Sequence, residues 1–338
     1  MDTNIRPDTS TLLPLTSYDR IIIMFSGGKD STACVLDLLE TLDQIGAQHM
    51  IDRIELWHQL VDGAPEEQTF MDWPVTHAYC EAVAGALGLP IRFQWREGGF
   101  LREMNRDGTA TAPVTVANPD GSRTTNGGKG PAGTRGKFPQ VSGDLSVRWC
   151  SAYLKIDVGA RAITADPTLQ SGNILVITGE RREESGNRAR YATVEKHRTS
   201  NSKRRVDQWR SVLEWSEAQV WAIIKRWAIV PHPCYYVGYG RASCGDCIFN
   251  GPDERATSRA LNLNFQRVAE RERQAGHTIH RSKTMDQIAD AGQVMVSNET
   301  IERYAEVLGA SRWHGPIQVE SDRWELPAGA YKHTTGPT

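Results

Sequence analysis

No apolar stretch in this sequence is long enough to cross a bilayer or to form the apolar region of a signal peptide. The run near the start, Ile21–Phe25, has the length of one buried strand. Neither sign of charge is in excess. Lys and Arg number 39 against 41 Asp and Glu, a net charge of −2, which excludes a cationic coat over the whole surface but not a local basic groove. Cysteine is sparse, six in 338 residues. In a chain that reads as cytoplasmic, six thiols are poor material for structural disulfides, and clustered ones point to metal or redox chemistry. Internal repeats and heptads are missing too. What is present is an ordinary globular composition, 39% hydrophobic and 24% charged, enough for one large α/β domain with an appendage or for two small domains.

From Arg20 onward, strand-like and helix-like stretches alternate. Arg20–Phe25 is rich in β-branched residues and ends in Ser26, Gly27 and Gly28, the punctuation of a strand-to-helix turn. Lys29–Leu42 carries Val35, Leu38, Leu39 and Leu42 on one helical stripe. Ile51–Trp57 reads as a second strand, Val75–Leu87 as a second helix and Ile91–Trp95 as a third strand. This alternation predicts a parallel sheet with helices on both faces and a binding site at the carboxyl ends of the strands. The expected organisation is a polar tail over 1–19, an α/β domain over 20–230, a cysteine knuckle with a helical subdomain over 231–310, and a tail over 311–338. Residues 97–145 interrupt the rhythm. Of these 49 residues 20 are Gly, Pro or Thr, with Phe100, Phe138 and Leu145 as the few apolar anchors, so an unstructured excursion or a lid is expected. Regular structure resumes with a helix over Ser151–Ile163, a strand over Ile174–Thr178 and a helix over Glu214–Trp227, then mostly helix to about Leu308.

The strongest local signal is Ser26-Gly27-Gly28-Lys29-Asp30-Ser31. Two glycines allow a tight turn whose bare N–H groups face an anion. The helix N-terminus adds partial positive charge and Lys29 a full one. The motif is not the Gly-x-x-x-x-Gly-Lys-[Ser/Thr] phosphate loop, because no glycine stands five residues before Gly28. A second element, Gly179 to Arg188, sets Arg181, Arg182 and Arg188 at another strand's carboxyl end, where planar guanidinium forks suit phosphate oxygens. Cys244 and Cys247 form Cys-x-x-Cys, Cys234 lies shortly before them, and Cys150 opens a helix. Four thiolates suit a [4Fe–4S] cluster or a structural zinc. Cys34 and Cys80 fall within amphipathic helices and read as packing residues. Between Arg181 and Arg210 stand ten Lys or Arg, with Tyr191, His197 and Trp209 among them. Cations attract a phosphate backbone and aromatics stack on bases, so DNA is an expected partner, with Lys203, Arg204 and Arg205 as candidate contacts.

The Gly-rich motif resembles the Ser-Gly-Gly-x-Asp-Ser signature of the PP-loop ATP pyrophosphatases. Gly179 to Arg188 resembles the Gly-x-Arg-Arg-x-x-Ser-x-x-Arg element of that superfamily's phosphoadenosine-phosphosulfate (PAPS) reductase branch, and Asp62-Gly63 stands where the branch has Asp-Thr-Gly. The resemblance implies an adenine nucleotide α-hydrolase-like fold and cleavage of ATP between the α- and β-phosphates, with Mg2+ on the triphosphate. It implies Ser26, Gly27, Gly28, Lys29, Asp30, Ser31, Asp62, Gly179, Arg181, Arg182 and Ser185 at the ATP or its pyrophosphate, with Lys29, Asp30, Arg181 and Arg188 catalytic. The spacing of Cys150, Cys234, Cys244 and Cys247 is similar to that of the branch's cluster ligands, which favours [4Fe–4S] over zinc.

Two departures separate the chain from the assimilatory reductases. Trp149-Cys150 stands where they carry tandem cysteines, and no cysteine follows Cys247 to serve as their thiosulfonate-forming nucleophile. The arrangement of one cysteine, a long gap and then Cys-x(9)-Cys-x(2)-Cys more closely resembles the ATP pyrophosphatases of DNA phosphorothioation, the DndC/SspD type, and the length is SspD-like. That likeness implies adenylation of a DNA backbone phosphate for sulfur incorporation in a bacterial modification and defence system. It also implies a cysteine desulfurase as sulfur donor and further phosphorothioation proteins as partners. A PAPS/APS-type sulfonucleotide reductase and a tRNA-thiolating PP-loop enzyme are the alternatives.

Overall fold

The computed structural model describes residues 12–332. Strand β1 (Arg20–Met24) is followed by α1 (Lys29–Gln44), β2 (Ile54–Leu60), α2 (Thr76–Ala86), β3 (Ile91–Arg96) and α3 (Gly99–Met104). Two short strands, β4 (Thr109–Ala110) and β7 (Ala132–Gly133), pair with each other and flank a hairpin of β5 (Pro113–Ala117) and β6 (Arg123–Gly127). The chain then forms α4 (Trp149–Ser151), a π turn over Ala152–Ile156 and α5 (Asp157–Ala165). Strands β8 (Gly172–Ile177), β9 (Val194–Lys196) and β10 (Arg204–Trp209) precede α6 (Glu217–Arg226). Four helices end the described fold: α7 (Pro252–Leu261), α8 (Phe265–Ala275), α9 (Met285–Asp290) and α10 (Asn298–Gly309).

One eight-stranded sheet runs in the order β6-β5-β3-β2-β1-β8-β10-β9. The five central strands, from β3 to β10, are parallel; β5, β6 and β9 add antiparallel edges. The sheet is therefore mixed, mostly parallel and flanked by helices, as the alternation of elements predicts. Strand β1 shows why. Ile21 and Ile23 enter the core shared with α1, α2 and α6, whereas Ile22 enters the core on the other face with Val176, Val206 and Ile163 of α5. A strand buried on both faces needs apolar residues at successive positions rather than alternate ones. A third cluster, built on Phe100, Phe138, Trp149, Phe249 and Phe265, joins α3, the helix at 149 and the C-terminal helices.

Three boundaries differ from expectation. Residues Gln48–Arg53 form a 3-10 turn, so the second strand begins at Ile54 and runs on to Leu60. The sixth helix begins at Glu217, because the Ser216 hydroxyl accepts the Gln219 N–H at 3.3 Å in a capping box. The segment 97–145 is not structureless: it supplies α3 and the β5–β6 hairpin on the sheet edge, with Phe100 and Phe138 buried and Leu145 exposed. Of the expected tails, 1–11 and 333–338 lie outside the described residues. Residues 311–332 return over the fold, burying Ile317 and Trp324, whose indole N–H donates to the Ile229 carbonyl at 2.8 Å. Among the described residues no helix is long and apolar enough to cross a membrane.

Candidate functional site

Strands β1 and β8 are neighbours in the centre of the sheet, and the loops leaving their carboxyl ends line one cleft of about 380 Å³. After β1 the chain turns through Gly27 at φ +75°, where an added Cβ would stand 2.8 Å from Cys80 Sγ; only glycine suits this position. Gly28 is the N-cap of α1 and provides no side-chain cap, and Ser26, Gly28, Asp30 and Ser31 line the cleft. Ser31 Oγ accepts the Ser26 N–H at 3.2 Å and stands 3.1 Å from Ser26 Oγ, which fixes the turn. The Gly28 N–H donates to Ser26 Oγ at 3.3 Å and the Lys29 N–H to the Tyr235 hydroxyl, which leaves the N–H groups of Asp30 and Ser31, both lining the cleft, as the helix N-terminal donors that suit anionic oxygens.

The lysine of the motif is placed differently from the sequence expectation. Lys29 is 5% exposed and is not among the lining residues; its Nζ donates to the Gly240 carbonyl at 2.8 Å and lies 3.7 Å from both Asp30 and Glu217. It clasps the turn to the cysteine loop instead of standing free for phosphate. The Tyr235 hydroxyl does the same, accepting the N–H groups of Lys29 at 2.9 Å and Ala242 at 3.1 Å.

Gly179 packs against the start of α1, where a Cβ would come within 3.0 Å of the Asp30 carbonyl carbon and of Ser31 N. Just beyond it, Arg181 is buried and donates to Asp30 Oδ1 at 2.6 Å and to Glu183 at 2.8 Å. Burial opposes charge on Asp30, but the Lys29 and Arg181 cations outweigh it and hold the carboxyl below its usual range. Arg182 turns away to Glu214 at 2.7 Å and to the Tyr191 carbonyl at 3.0 Å, and the Ser185 hydroxyl accepts the Arg188 N–H at 3.3 Å. Of these three arginines Arg188 alone lines the cleft, where it pairs with Glu184. Asp62 is occupied elsewhere. Its Oδ2 accepts the N–H groups of Phe70, Met71 and Asp72 at 2.8–2.9 Å, and burial pushes its carboxyl up to about 6.

Cys150, Cys244 and Cys247 line the cleft, and burial pushes the Cys150 thiol up to about 11. Cys234 does not join them: it is fully buried in the core shared with α1 and α6. Among the described residues no group of three or more His, Cys, Asp or Glu side chains is arranged to hold a metal ion. The residues as placed therefore do not fit the four-thiolate set expected for a [4Fe–4S] cluster or zinc. Cys34 and Cys80 are buried packing residues, as expected. The π turn contributes to the same wall, for Cys150 and Ser151 line the cleft together with Lys155 and Ile156.

The expected DNA contacts need correction. Arg204 is 3% exposed, and its guanidinium donates to the carbonyls of Thr199, Ile163 and Leu169, so it cannot meet a phosphate. Lys203 and Arg205 are exposed, but Arg205 pairs with Asp207 at 2.9 Å. All three lie at the start of β10, whose first residue pairs with the first residue of β8, at the end of the sheet away from the cleft. Trp209 is buried, whereas Tyr191 lines the cleft with the Arg210 guanidinium 4.7 Å from its ring. Arg148, Lys155, Tyr235 and Arg241 were not singled out by sequence. The available signal was position alone, since Arg148 stands two residues before Cys150 and Tyr235 directly follows Cys234.

Among solved structures, the FMN adenylyltransferase of Candida glabrata is similar. Its complex with FMN and the ATP analogue AMPCPP is 13% identical, with 95% of this chain and 83% of that chain covered and a TM-score of 0.40. Its complex with ATP gives 13% identity, 93% and 79% coverage and a TM-score of 0.39. No curated protein sequence matches the chain. Residues 129–249, which carry the π turn, β8, the arginine loop and the cysteine loop, match the family model of the phosphoadenosine phosphosulfate reductase domain.

Proposed function

We propose that the chain is an ATP pyrophosphatase that adenylates a DNA backbone phosphate so that sulfur can replace a non-bridging oxygen. The observation that carries this reading is the α1 N-terminus at the cleft, with Gly28, Asp30 and Ser31 lining it. Ser26 and Tyr235 take the Gly28 and Lys29 N–H groups, and those of Asp30 and Ser31 are left to meet an anion. Negative charge grows on the leaving pyrophosphate when ATP is split between its α- and β-phosphates. Oriented N–H groups stabilise that charge without reorganising. Mg2+ on the triphosphate would complete the neutralisation. Ser26 and Ser31 hold the shape of the turn, Arg181 neutralises Asp30 beside it, and Arg188 reaches the cleft itself.

The acceptor half of the reading is supported by three thiols and the exposed Tyr191 ring at the same cleft. A cysteine desulfurase would supply sulfur, with further phosphorothioation proteins as partners. The purified protein with Mg2+ should release AMP and pyrophosphate from ATP; ADP and orthophosphate as products would refute the assignment. Nuclease-digested DNA from cells with and without the gene, analysed by mass spectrometry, tests the acceptor. Phosphorothioate dinucleotides should depend on the gene.

The match over 129–249 favours a second reading, reduction of a sulfonucleotide. Gene-dependent sulfite formation, with DNA unchanged, would select it.

A further inference from the structure

Each carboxylate that lines the cleft already has an arginine. Asp30 has Arg181 at 2.6 Å, Glu184 has Arg188, and Glu180 has Arg210 at 3.7 Å. Arg148 is different. It lines the cleft, is only 9% exposed, and its Nε and Nη1 are buried with no hydrogen-bond partner among the described residues. The Phe249 ring lies 5.8 Å from the guanidinium carbon. The charges that Arg148 feels come from Cys150, Arg188, Tyr191 and Arg241, a set without a carboxylate. Lys155 lines the same cleft, where the Cys244, Cys247 and Cys150 thiols and the Asp72 carboxylate favour its charge.

Burying the Nε and Nη1 donors without acceptors disfavours the folded state, because they have lost hydration and gained no hydrogen bond in return. The planar set of guanidinium donors suits the oxygens of a phosphate, which the unbonded Nε and Nη1 can meet. We infer that Arg148, with Lys155 on the same cleft, forms an anion subsite that takes a phosphate of the nucleic-acid acceptor while the α1 turn takes ATP. The choice of acceptor rests on the proposed function; the anion subsite does not. Arg148 is carried by the segment entering α4, and the ATP-facing amides by the turn after β1, so the two subsites belong to separate elements of one cleft. An acceptor phosphate held here lies at the same cleft as the Cys150, Cys244 and Cys247 thiols.

The test uses the full chain and Arg148→Met, which keeps the length of the side chain and removes its charge. With no added anion, the variant should melt at a higher temperature than the wild type, since it no longer buries the unbonded Nε and Nη1 donors. With the α1 turn saturated by a non-hydrolysable ATP analogue, inorganic phosphate should raise the melting temperature of the wild type and leave the variant unmoved. A fluorescent single-stranded oligodeoxynucleotide should bind the variant about tenfold more weakly, or worse. Affinity for the ATP analogue should stay within about twofold. Equal stabilisation of both proteins by phosphate overturns the subsite. An equal loss of affinity for the ATP analogue also overturns it, for Arg148 then serves the nucleotide. If phosphate discriminates between the proteins but the oligonucleotide binds neither, the subsite stands and the nucleic-acid acceptor falls.

Discussion

Breaking the Asp30–Arg181 pair tests folding and chemistry together. Arg181 Nε donates to Asp30 Oδ1 at 2.6 Å, and the two side chains are 4% and 18% exposed. Two unit charges about 4 Å apart at an effective dielectric of about 20 attract by about 4 kcal/mol. Removing one member of a buried pair typically costs about 3–5 kcal/mol, because the other is left without compensation. Lys29 Nζ, 3.7 Å from the second oxygen of Asp30, softens the loss. Arg181→Met should therefore destabilise the protein by about 2–4 kcal/mol. Asp30→Asn should cost less, since Arg181 keeps Glu183 at 2.8 Å. A double-mutant cycle by urea unfolding at pH 7 should return a coupling of about 2 kcal/mol.

The sign of the pH dependence follows from the depressed carboxyl of Asp30. Its folded-state pKa lies below the ordinary value, so the stability it confers is complete above the unfolded pKa of about 3.9 and disappears as pH falls through the lower folded value. Arg181→Met should also bind ATP more weakly, by about tenfold, because a carboxylate at the α1 N-terminus that keeps only Lys29 as counter-charge repels the phosphates that the amides attract. A coupling under about 0.5 kcal/mol at pH 7 would refute the argument that charge, and not shape, holds these loops together.

Lys29→Met should destabilise the nucleotide-free protein by about 2 kcal/mol in urea unfolding, because Nζ donates a charged hydrogen bond to the Gly240 carbonyl; an unchanged midpoint would contradict the buried placement. Gly27→Ala should cost at least about 1–2 kcal/mol from its positive φ alone, with more from the contact to Cys80, read as a fall in melting temperature. Iodoacetamide should label Cys150, Cys244 and Cys247 in the native protein while sparing Cys34, Cys80 and Cys234; peptide mapping that finds Cys234 modified as fast as Cys244 would overturn the division.

The features written into contiguous residues were legible. Three successive isoleucines announced a strand buried on both faces, and the glycine pair announced a tight turn, which at Gly27 admits no side chain. The strand over Ile54–Leu60 was harder to bound. His58 and Gln59 interrupt its apolar run because they face a small pocket next to the cleft, and Ile51 belongs to the preceding 3-10 turn. The edge strand Arg123–Gly127 was invisible for a different reason. All five of its residues are exposed, so nothing imposes an apolar period on them. Side-chain destinations depend on distant residues. Lys29 finds its partner 211 positions away, and whether Cys234 joins the other thiols is decided by packing against α1 and α6, which spacing does not record.

The π turn at Ala152–Ile156 has a consequence for how this cleft can change. In a regular α-helix, residues five apart stand roughly 140° from one another around the axis; a ladder of i→i+5 bonds brings them close to one side. Here that widening lets Cys150 and Lys155 line a single wall. Deleting one residue from the turn would restore ordinary α geometry and leave the helix, by local energetics, at least as comfortable as before. The thiol and the ammonium would then part company. A shortened chain should therefore fold well and fail at its task, which makes length, rather than residue identity, the vulnerable property of this segment.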